Sequence, residues 1–267
     1  MPGWTREFAS PRPMDQAPDI PSRPRRAAEG RVWWRRYARS VTGMAGLATL
    51  AGFLVCAIGP GWVTSREPTR MTFRPFSPPG VAHPMGTDDL GRDVLSGVVH
   101  GSRASLRIGF LATGITVAIG VSIGALSGFY GGRVDEVLSG LTEWVLVIPR
   151  FFLALLLVAI WGASTGNIII AIGVLSWPLT ARLTRAEFLS LKEREFVTAA
   201  RATGVTDGSL MVAHMLPNAL PPIVVNASLE VGNAILLEAA MSFLGLGDPS
   251  TTSWGSMLLN AQGFFRR

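Results

Sequence analysis

The segment IGFLATGITVAIGVSIGALSGFYGG, Ile108–Gly132, decides the fold class. It carries no charged residue, and a helix needs about 20 apolar residues to cross the hydrocarbon core of a bilayer. Small residues recur along it at every fourth position: Ala112, Thr116, Gly120, Gly124, Gly128 and Gly132. This spacing lets a second helix approach closely, and close packing holds helices together in lipid. The segment therefore predicts a membrane span inside a helical bundle.

The composition of the chain also indicates a membrane protein. Of the 267 residues, 48% are hydrophobic and 16% are charged, whereas soluble domains carry about 25% charged residues. The net charge of +6 lies mainly in the first 40 residues, which hold nine arginines and four acidic residues. A nucleic-acid-binding protein would distribute its arginines along a folded groove, so we expect no nucleic-acid partner.

Cysteine and histidine are too sparse for a metal centre. Cys56 is the only cysteine, and the three histidines form no His-x-x-x-His pair. These counts exclude an intrachain disulfide, a cysteine-rich zinc site and an iron–sulfur cluster. Three carboxylates, Asp88, Asp89 and Asp93, suggest a metal loop, but Arg92 among them favours a capped turn. That turn would lead into a surface-lying amphipathic helix whose apolar face carries Leu90, Val94, Leu95 and Val98.

Four further apolar segments predict additional spans, which gives five in total. They are Val41–Ser65, Val137–Trp161, Ile168–Thr184 and Leu220–Gly245. The segment Ile168–Thr184 is short for a span unless its helix continues past Arg182 and Arg185, whose long side chains can reach the membrane surface. Pro149 and Pro178 fall within two spans, and each predicts a kink because proline removes a helical hydrogen bond.

The arginines before the first span predict its orientation. Residues 1–30 are rich in Pro, Arg and Ala and predict a disordered cytoplasmic tail, followed by a membrane anchor and first span at 31–63. A cleaved secretory signal would have a shorter apolar core nearer the start. Because arginines favour the cytoplasmic side, residues 64–104 are expected outside. A helical membrane core is expected at 105–250, and an extracytoplasmic C-terminal segment at 251–267.

The cytoplasmic loop 185–219 predicts two short helices joined at a glycine. Ser190 and Glu193 have capping-box spacing, so the first helix is expected to begin at Leu191. Gly204 is expected to end it in a left-handed conformation. Two short helices held between two spans form a projection that can receive force from a soluble partner.

The second short helix has a cap and an end of its own. Thr206 or Asp207 can cap it, because both side chains accept hydrogen bonds from backbone N–H groups. We expect it to run through about Leu216 and to end at Pro217, at the membrane.

This loop resembles the EAA loop of ABC importer permeases. In that pattern Glu-Ala-Ala is followed by three residues and a glycine, and then by nine residues, an apolar position, one further residue and Leu-Pro. The matching positions are Ala199, Ala200, Gly204, Leu216 and Pro217. Thr198 replaces the glutamate and His214 replaces the usual isoleucine. The resemblance implies that the residues around Gly204, with Thr206 and Asp207, sit in a groove on an ATPase.

Three more blocks resemble the C-type permease of dipeptide, oligopeptide and nickel importers. They are HPMGTDDLGRD at 83–93, EAAMSFLGLG at 238–247 and WGSML at 254–258. The resemblance implies an all-α bundle, the type I ABC importer permease fold. It also implies a sixth span after Trp254, which this sequence does not show, so we expect about five spans. Either the partner covers the gap or the sequence is a shortened form.

The resemblance implies a transport function without catalysis by this chain. The chain would be a multi-pass subunit in the bacterial plasma membrane, paired with a second permease as a heterodimer. Two ATP-binding subunits and an extracytoplasmic substrate-binding protein would complete the importer. The sequence has no phosphate loop, so ATP and Mg²⁺ are expected to bind to the ATPases. We expect this chain to contain no catalytic residue and to bind no cofactor. Peptide is the expected cargo, with nickel as the alternative.

Asn226, Glu230 and Asn233 fall on one face of the last span. Carboxylates within a membrane are costly and usually face a cavity or a partner. This face is therefore predicted to line the translocation path, where Glu230 could meet a peptide ammonium group. The alternative is a structural ion pair of Glu230 with Arg150 in the third span.

Two other classes of function stay open from the residues alone. A secondary transporter or channel would work without ATPases, but the chain shows no inverted repeat with two broken helices. A membrane scaffold that transports nothing is the other alternative. The docking-type loop at 185–219 favours the importer over both.

Overall fold

The computed structural model describes residues 37–264, and over this range the chain is helical apart from loops and one isolated bridge between Thr87 and Asp93. The predicted tail at 1–30 and the first part of the anchor lie outside the described residues. The helices of eight or more residues are α1 (Val41–Ile58), α2 (Val94–Tyr130), α3 (Gly132–Val147), α4 (Arg150–Trp161), α5 (Thr165–Lys192), α6 (Glu195–Ala202), α7 (Asp207–Leu246) and α8 (Trp254–Ala261); shorter helical turns lie at Pro60–Val63 and Gln262–Phe264. Within α7, the α-helical part Leu216–Met241 lies between two π-helical turns.

The chain divides into an N-terminal unit up to Ala51 and a larger unit from Gly52 onward. In the N-terminal unit, Ser40 precedes α1, and its Oγ accepts a hydrogen bond from the Gly43 N–H at 3.1 Å. The Tyr37 hydroxyl donates to the Gly43 carbonyl at 3.0 Å. Serine is a favoured residue before a helix for this reason, so the polar position before the apolar segment fixes the start of α1.

Four of the described helices are long and apolar enough to span a membrane, namely α1, α2, α5 and α7. The pair α3 and α4 makes a fifth span if it is counted as one helix with a bend of 80°. This agrees with the prediction of about five spans. Helix α5 continues to Lys192, past Arg182 and Arg185, so it reaches the length that the short apolar segment lacked.

The small residues of α2 form the closest contact in the bundle, against α5. A Cβ added to Gly120, Gly124 or Gly128 would lie within 3 Å of α5 atoms, some of them backbone. Further along the same face, the Thr116 hydroxyl donates to the Gly173 carbonyl at 3.1 Å. Gly132 does not take part in this contact, because it begins α3 with a φ of +53° and a Cβ there would meet nothing.

The two prolines predicted to bend helices act differently. Pro149 separates α3 from α4, where the chain turns by 80°, so the predicted kink is a break in the span. Pro178 lies inside α5, which runs as one helix from Thr165 to Lys192. Pro178 is buried within α5 and supplies no helical N–H, yet the helix continues through it.

The structure corrects the boundary predicted between an outer loop at 64–104 and a core at 105–250. Helix α2 begins at Val94 and continues into the span, so the boundary falls inside one helix. The prediction of a surface-lying helix is therefore wrong, because its residues from Val94 onward belong to α2. Leu90, which was expected on the apolar face of that helix, lies before α2. Arg103 and Arg107 do not interrupt the helix, because both lie on its exposed face, one turn apart.

Two apolar clusters form the core of the larger unit. One lies where α2, α4, α5 and α7 meet, around Ile108, Ile172 and Met241. The other surrounds the loop between α5 and α7, and its buried members are Ala125, Phe129, Phe188, Val197, Leu210, Met215, Ala219 and Ile223. The second cluster ties α6 to the ends of α2 and α5, so the loop is packed rather than extended.

Candidate functional site

Helix α6 and the start of α7 form a projection at one end of the bundle, residues 193–215. The predicted helix start at Leu191 is wrong, since α5 continues to Lys192 and Ser190 lies within it. The buried Phe188 packs in the second apolar cluster and holds this last part of α5 as helix. A new helix then begins at Glu195, directly after Arg194, which makes no capping hydrogen bond with its side chain.

Gly204 makes the turn between α6 and α7, as predicted. Its φ is +79°, a left-handed conformation that glycine adopts without a steric penalty. Its N–H donates to the Arg201 carbonyl at 3.0 Å, and the Val205 N–H donates to the Ala200 carbonyl at 3.2 Å. These bonds satisfy carbonyls at the end of α6, so the glycine defines how the chain turns back toward the bundle.

Helix α7 begins after Thr206, which has extended backbone angles, and Asp207 is its first residue. The Leu210 N–H donates to the Thr206 carbonyl at 2.8 Å, but neither side chain makes a capping hydrogen bond. The predicted end at Pro217 is wrong, since α7 continues to Leu246. Pro217 lies in the first turn of the α-helical part, directly after a π-helical turn, where its missing N–H costs least.

Five of the residues predicted to couple to an ATPase lie on this projection, and the other two, Leu216 and Pro217, follow it directly in α7. Ala199, Gly204, Thr206, Asp207 and Pro217 are exposed, whereas Ala200 and Leu216 are half-buried against the second apolar cluster. The structure thus presents a small-residue surface whose inner side is fixed to the bundle. Their role in coupling stays a prediction.

Two contacts that the sequence analysis missed anchor the projection to α2. The Val197 side chain is fully buried in the second apolar cluster. The Arg201 guanidinium lies over the Phe129 ring, 5.7 Å from its centroid. Arginine above an aromatic ring is attracted by the negative face of the ring. Displacement of α6 would therefore be transmitted to the end of α2.

An ion pair at the foot of the projection joins α3 to α5. Arg185 donates to both oxygens of Asp135, from Nε at 2.5 Å and from Nη2 at 2.6 Å, and the Ser139 hydroxyl donates to the same carboxylate at 2.9 Å. Ser127 of α2 also donates to Asp135. The sequence signal was the presence of opposite charges at one end of two neighbouring spans, because Asp135 precedes the third predicted span and Arg185 follows the fourth.

The polar face of α7 makes its contacts within the chain. Glu230 is 5% exposed, and the Arg150 Nη1 lies 3.7 Å from its Oε2. Asn233 donates to Glu230 Oε1 at 3.2 Å, and Asn226 donates to the Thr180 hydroxyl of α5 at 3.1 Å. The structural ion pair that the sequence left as an alternative is therefore present. A role of these residues in translocation stays a prediction.

A second buried carboxylate, Glu238, joins α7 to α8. Its Oε1 accepts hydrogen bonds from the hydroxyls of Ser242, at 2.7 Å, and Ser253, at 2.8 Å. Ser253 and Ser256 also form a capping box at the start of α8. The sequence analysis included Glu238 only as the first residue of the block at 238–247, although a carboxylate in an apolar segment implied a polar partner.

Asp248 joins the end of α7 to the start of α5. It accepts hydrogen bonds from the hydroxyl and N–H of Ser250, at 2.6 and 2.9 Å, and from those of Thr165, also at 2.6 and 2.9 Å. The bonds from Ser250 and Thr165 hold the pKa of the Asp248 carboxyl well below its usual range. This end of the bundle lies opposite the projection, because α5 and α7 each run from one end to the other.

The acidic loop before α2 forms the capped turn expected from Arg92. Asp88 Oδ1 accepts hydrogen bonds from the N–H groups of Leu90, at 2.9 Å, and Arg92, at 2.8 Å. The Arg92 Nε lies 2.5 Å from Asp88 Oδ2. Asp93, at the start of α2, makes no capping hydrogen bond with its side chain.

Comparison with known proteins gives one family and several relatives. A family model described as "Binding-protein-dependent transport system inner membrane component" matches residues 120–265. The chain is 36% identical to the dipeptide transport system permease protein DppC of Alkalihalophilus pseudofirmus, over 99% of this chain and 86% of the relative. It is 37% identical to the di/tripeptide transport system permease protein DppC of Pseudomonas aeruginosa, over 88% of this chain and 80% of the relative. It is 36% identical to the dipeptide transport system permease protein DppC of Haemophilus influenzae, over 82% of this chain and 76% of the relative.

Proposed function

The chain belongs to the family of binding-protein-dependent transport system inner membrane components, as a permease subunit of an ABC importer, and we propose that its cargo is dipeptides or other short peptides. One observation carries this proposal. The similarity to a dipeptide permease extends over 99% of the chain, so it includes both ends of the bundle as well as the shared core. The recognised family and the all-α membrane fold expected from the sequence are confirmed.

We propose that the projection at residues 193–215 docks on an ATP-binding subunit. Its exposed residues around Gly204 are small, which suits insertion into a groove, and its inner side packs on the bundle through Val197. A push on α6 would reach α2 through Arg201 and Phe129, and α5 through the second apolar cluster. ATP and Mg²⁺ would be bound and hydrolysed on two such subunits, and this chain would bind no cofactor itself.

The projection would lie on the cytoplasmic side in this arrangement. The N-terminus would be cytoplasmic as well, in keeping with the nine arginines among the first 40 residues. The opposite end, which contains Asp248 and α8, would face the substrate-binding protein. A second permease would complete the bundle as a heterodimer, and the lipid bilayer would cover the remaining apolar surface.

We propose that the translocation path follows the face of α7 with Asn226, Glu230 and Asn233. Together with Ser228, whose hydroxyl donates to the Val224 carbonyl, these are the polar side chains in the middle of an otherwise apolar helix. Arg150, which pairs with Glu230, has a side chain 39% exposed, so the pair is accessible from outside the chain. A peptide carries a charge at each end, and an accessible ion pair can exchange its internal contacts for contacts with both ends.

Reconstituted transport tests the proposed cargo. The chain, its second permease and its ATPases are placed in proteoliposomes, and a binding protein delivers labelled dipeptide, tetrapeptide or nickel. ATP-dependent uptake of the dipeptide above the other two cargoes is expected. Nickel uptake without peptide uptake would contradict the peptide proposal and favour the alternative. Uptake by the permeases without ATPases would instead contradict the coupling role of the projection.

A further inference from the structure

Two arginines in the first half of α2 have no partner within the described part of the chain. Arg103 and Arg107 lie one turn apart on the exposed face of the helix, and neither side chain makes a hydrogen bond, an ion pair or a ring contact among residues 37–264. Three arginines further along the bundle are paired with carboxylates, namely Arg150 with Glu230, Arg182 with Glu143 and Arg185 with Asp135. The two cations of α2 are therefore available to a ligand from outside the chain.

The two arginines lie at the depth of lipid headgroups. The uncharged part of α2, residues 108–130, is about 34 Å long at about 1.5 Å per residue, which is enough to cross a hydrocarbon core of about 30 Å. Arg107 directly precedes this part, and Arg103 lies about 6 Å further out. The headgroup layer is about 5–7 Å thick on each side, so both arginines fall within it. At the other end, Tyr130 is 51% exposed, as expected for an aromatic residue at the opposite interface.

Contacts on the opposite face of α2 keep the two arginines turned outward. The Trp254 backbone N–H donates to the Ser105 hydroxyl at 3.2 Å, and the Trp254 indole N–H donates to the Val98 carbonyl at 3.0 Å. Ser105 is fully buried, whereas Arg103 and Arg107 are exposed. This part of α2 therefore cannot rotate to bury the two cations without breaking these hydrogen bonds.

Apolar side chains continue the same face toward the centre of the membrane. Phe110 is 48% exposed and Leu111 is 47% exposed, and they follow Arg107 by three and four residues, which places them one turn further along the same face. The face thus combines two cations at the depth of headgroups with apolar surface at the depth of acyl chains. A phospholipid has the same order of groups, because its phosphate lies above its acyl chains.

We propose that Arg103 and Arg107 bind the phosphate of an anionic phospholipid whose acyl chain lies against Phe110 and Leu111. A guanidinium can donate two parallel hydrogen bonds to phosphate oxygens, and it keeps its charge at physiological pH. An anionic lipid suits the pair better than a zwitterionic one, because no carboxylate among residues 37–264 pairs with either arginine. In the proposed orientation this lipid belongs to the outer leaflet. The binding itself does not depend on the identity of the cargo.

Photocrosslinking from position 110 tests which molecule covers this face. Phe110 is replaced by benzoylphenylalanine, and the assembled importer is held in nanodiscs with equal amounts of dioleoylphosphatidylglycerol, which is anionic, and dioleoylphosphatidylcholine, which is zwitterionic. Because both lipids carry the same acyl chains, the ratio of their adducts in mass spectrometry measures the preference for the headgroup. Adducts of phosphatidylglycerol are expected to exceed those of phosphatidylcholine about fivefold or more, the effect of a single arginine beside anionic lipid.

Variants of the two arginines show whether they cause this preference. Arg103→Gln combined with Arg107→Gln is expected to bring the ratio of adducts close to one, whereas replacement of both by lysine keeps the charges and is expected to retain most of the preference. Arg70→Gln, in the exposed loop before α2, is the matched control and is expected to leave the ratio unchanged. Because the ratio is measured within each sample, a lower yield of assembled complex does not affect it.

Other outcomes would overturn the proposal. A ratio close to one with both arginines present would show that the face does not select an anionic lipid, and a ratio that the two glutamines leave unchanged would place the preference elsewhere. An adduct with the second permease in place of lipid would show that a protein covers this face. A ratio that falls in inorganic phosphate, compared with chloride at the same ionic strength, would assign the arginines to a free anion.

Discussion

Arg150 and Glu230 pair across the bundle, with Arg150 Nη1 3.7 Å from Glu230 Oε2. Arg150 is the first residue of α4, directly after the break at Pro149 that bends the α3–α4 pair by 80°. The bend therefore places a cation beside the buried carboxylate of α7. An unpaired carboxylate in a span is costly, so this pair explains how α7 keeps a glutamate in an apolar segment.

Glu230→Gln is expected to lower both stability and transport. Loss of the carboxylate leaves Arg150 without its ionic partner, and because Arg150 is 39% exposed the cost is expected to be about 1–2 kcal/mol, less than for a fully buried pair. Thermal unfolding in detergent measures the stability. Peptide uptake per assembled complex measures transport, with Glu136→Gln, an exposed carboxylate, as the control. Normal uptake by an assembled Glu230→Gln complex would remove Glu230 from the translocation path.

Gly204→Ala is expected to uncouple ATP hydrolysis from transport while the bundle remains folded. A residue with a Cβ at a φ of +79° costs about 1 kcal/mol, but the added methyl would meet no other atom within 4 Å. The substitution would therefore change the conformation of the turn and leave the core unchanged. The measurement is transport-stimulated ATP hydrolysis, which is expected to fall severalfold. Gly208→Ala is the matched control, since it adds the same methyl in the same projection, without a positive φ. Equal losses in both variants would contradict the role of the turn.

Gly124→Ala is expected to separate α2 from α5. Its Cβ would lie within 3 Å of atoms of Ala181 and Thr184, and helix backbones cannot yield as a flexible side chain can. Overpacking of this kind costs about 1–3 kcal/mol or more. The measurement is the fraction of monodisperse protein after extraction in detergent, compared with Gly114→Ala in the same helix, where a Cβ meets nothing. Wild-type yield and melting temperature for Gly124→Ala would contradict the close contact.

Asp248→Asn is expected to destabilise the chain near neutral pH and to have a smaller effect in acid. The hydrogen bonds from Ser250 and Thr165 lower the pKa of Asp248, so its contribution is fully present above the ordinary aspartate pKa of about 3.9 and declines as the pH falls below it. At pH 7 the loss is expected to be about 1.5 kcal/mol, the size of one hydrogen bond to a charged group.

Thermal unfolding between pH 7 and pH 3 measures this dependence for Asp248→Asn and the wild type. Glu193→Gln, which removes an exposed carboxylate at the other end of the bundle, serves as the control. A stability difference between Asp248→Asn and the wild type that stays constant down to pH 3 would show that the ionised state of Asp248 does not contribute.

The sequence predicted the spans well because their signals are local. An uncharged segment long enough to cross a bilayer must be helical, since lipid offers no partners for backbone N–H and C=O groups. Small residues at every fourth position predicted that α2 packs closely against another helix, because one face of a helix is defined by its own residues, and the structure shows that this helix is α5. The left-handed conformation of Gly204 was also predicted locally.

Helix ends were predicted less well, because packing between distant segments decides them. Ser190 and Glu193 had the spacing of a capping box, yet burial of Phe188 extends α5 past Ser190. Pro217 looked like a helix end, yet a π-helical turn before it lets α7 continue. In both cases the contacts of the second apolar cluster outweigh a preference of about 1 kcal/mol at a single position.

Sequence alone determined the membrane class, about five spans and the permease family, since each depends on residues close together in the chain. It also located the loop at 185–219, whose coupling role stays a prediction. Only the tertiary structure decided which charges neutralise each other. Arg150 pairs with Glu230 across 80 positions and Asp135 with Arg185 across 50, whereas Asp93 keeps one oxygen without a partner. Charge pairing depends on distances of a few ångströms between side chains, and these are set by how the helices bend and pack.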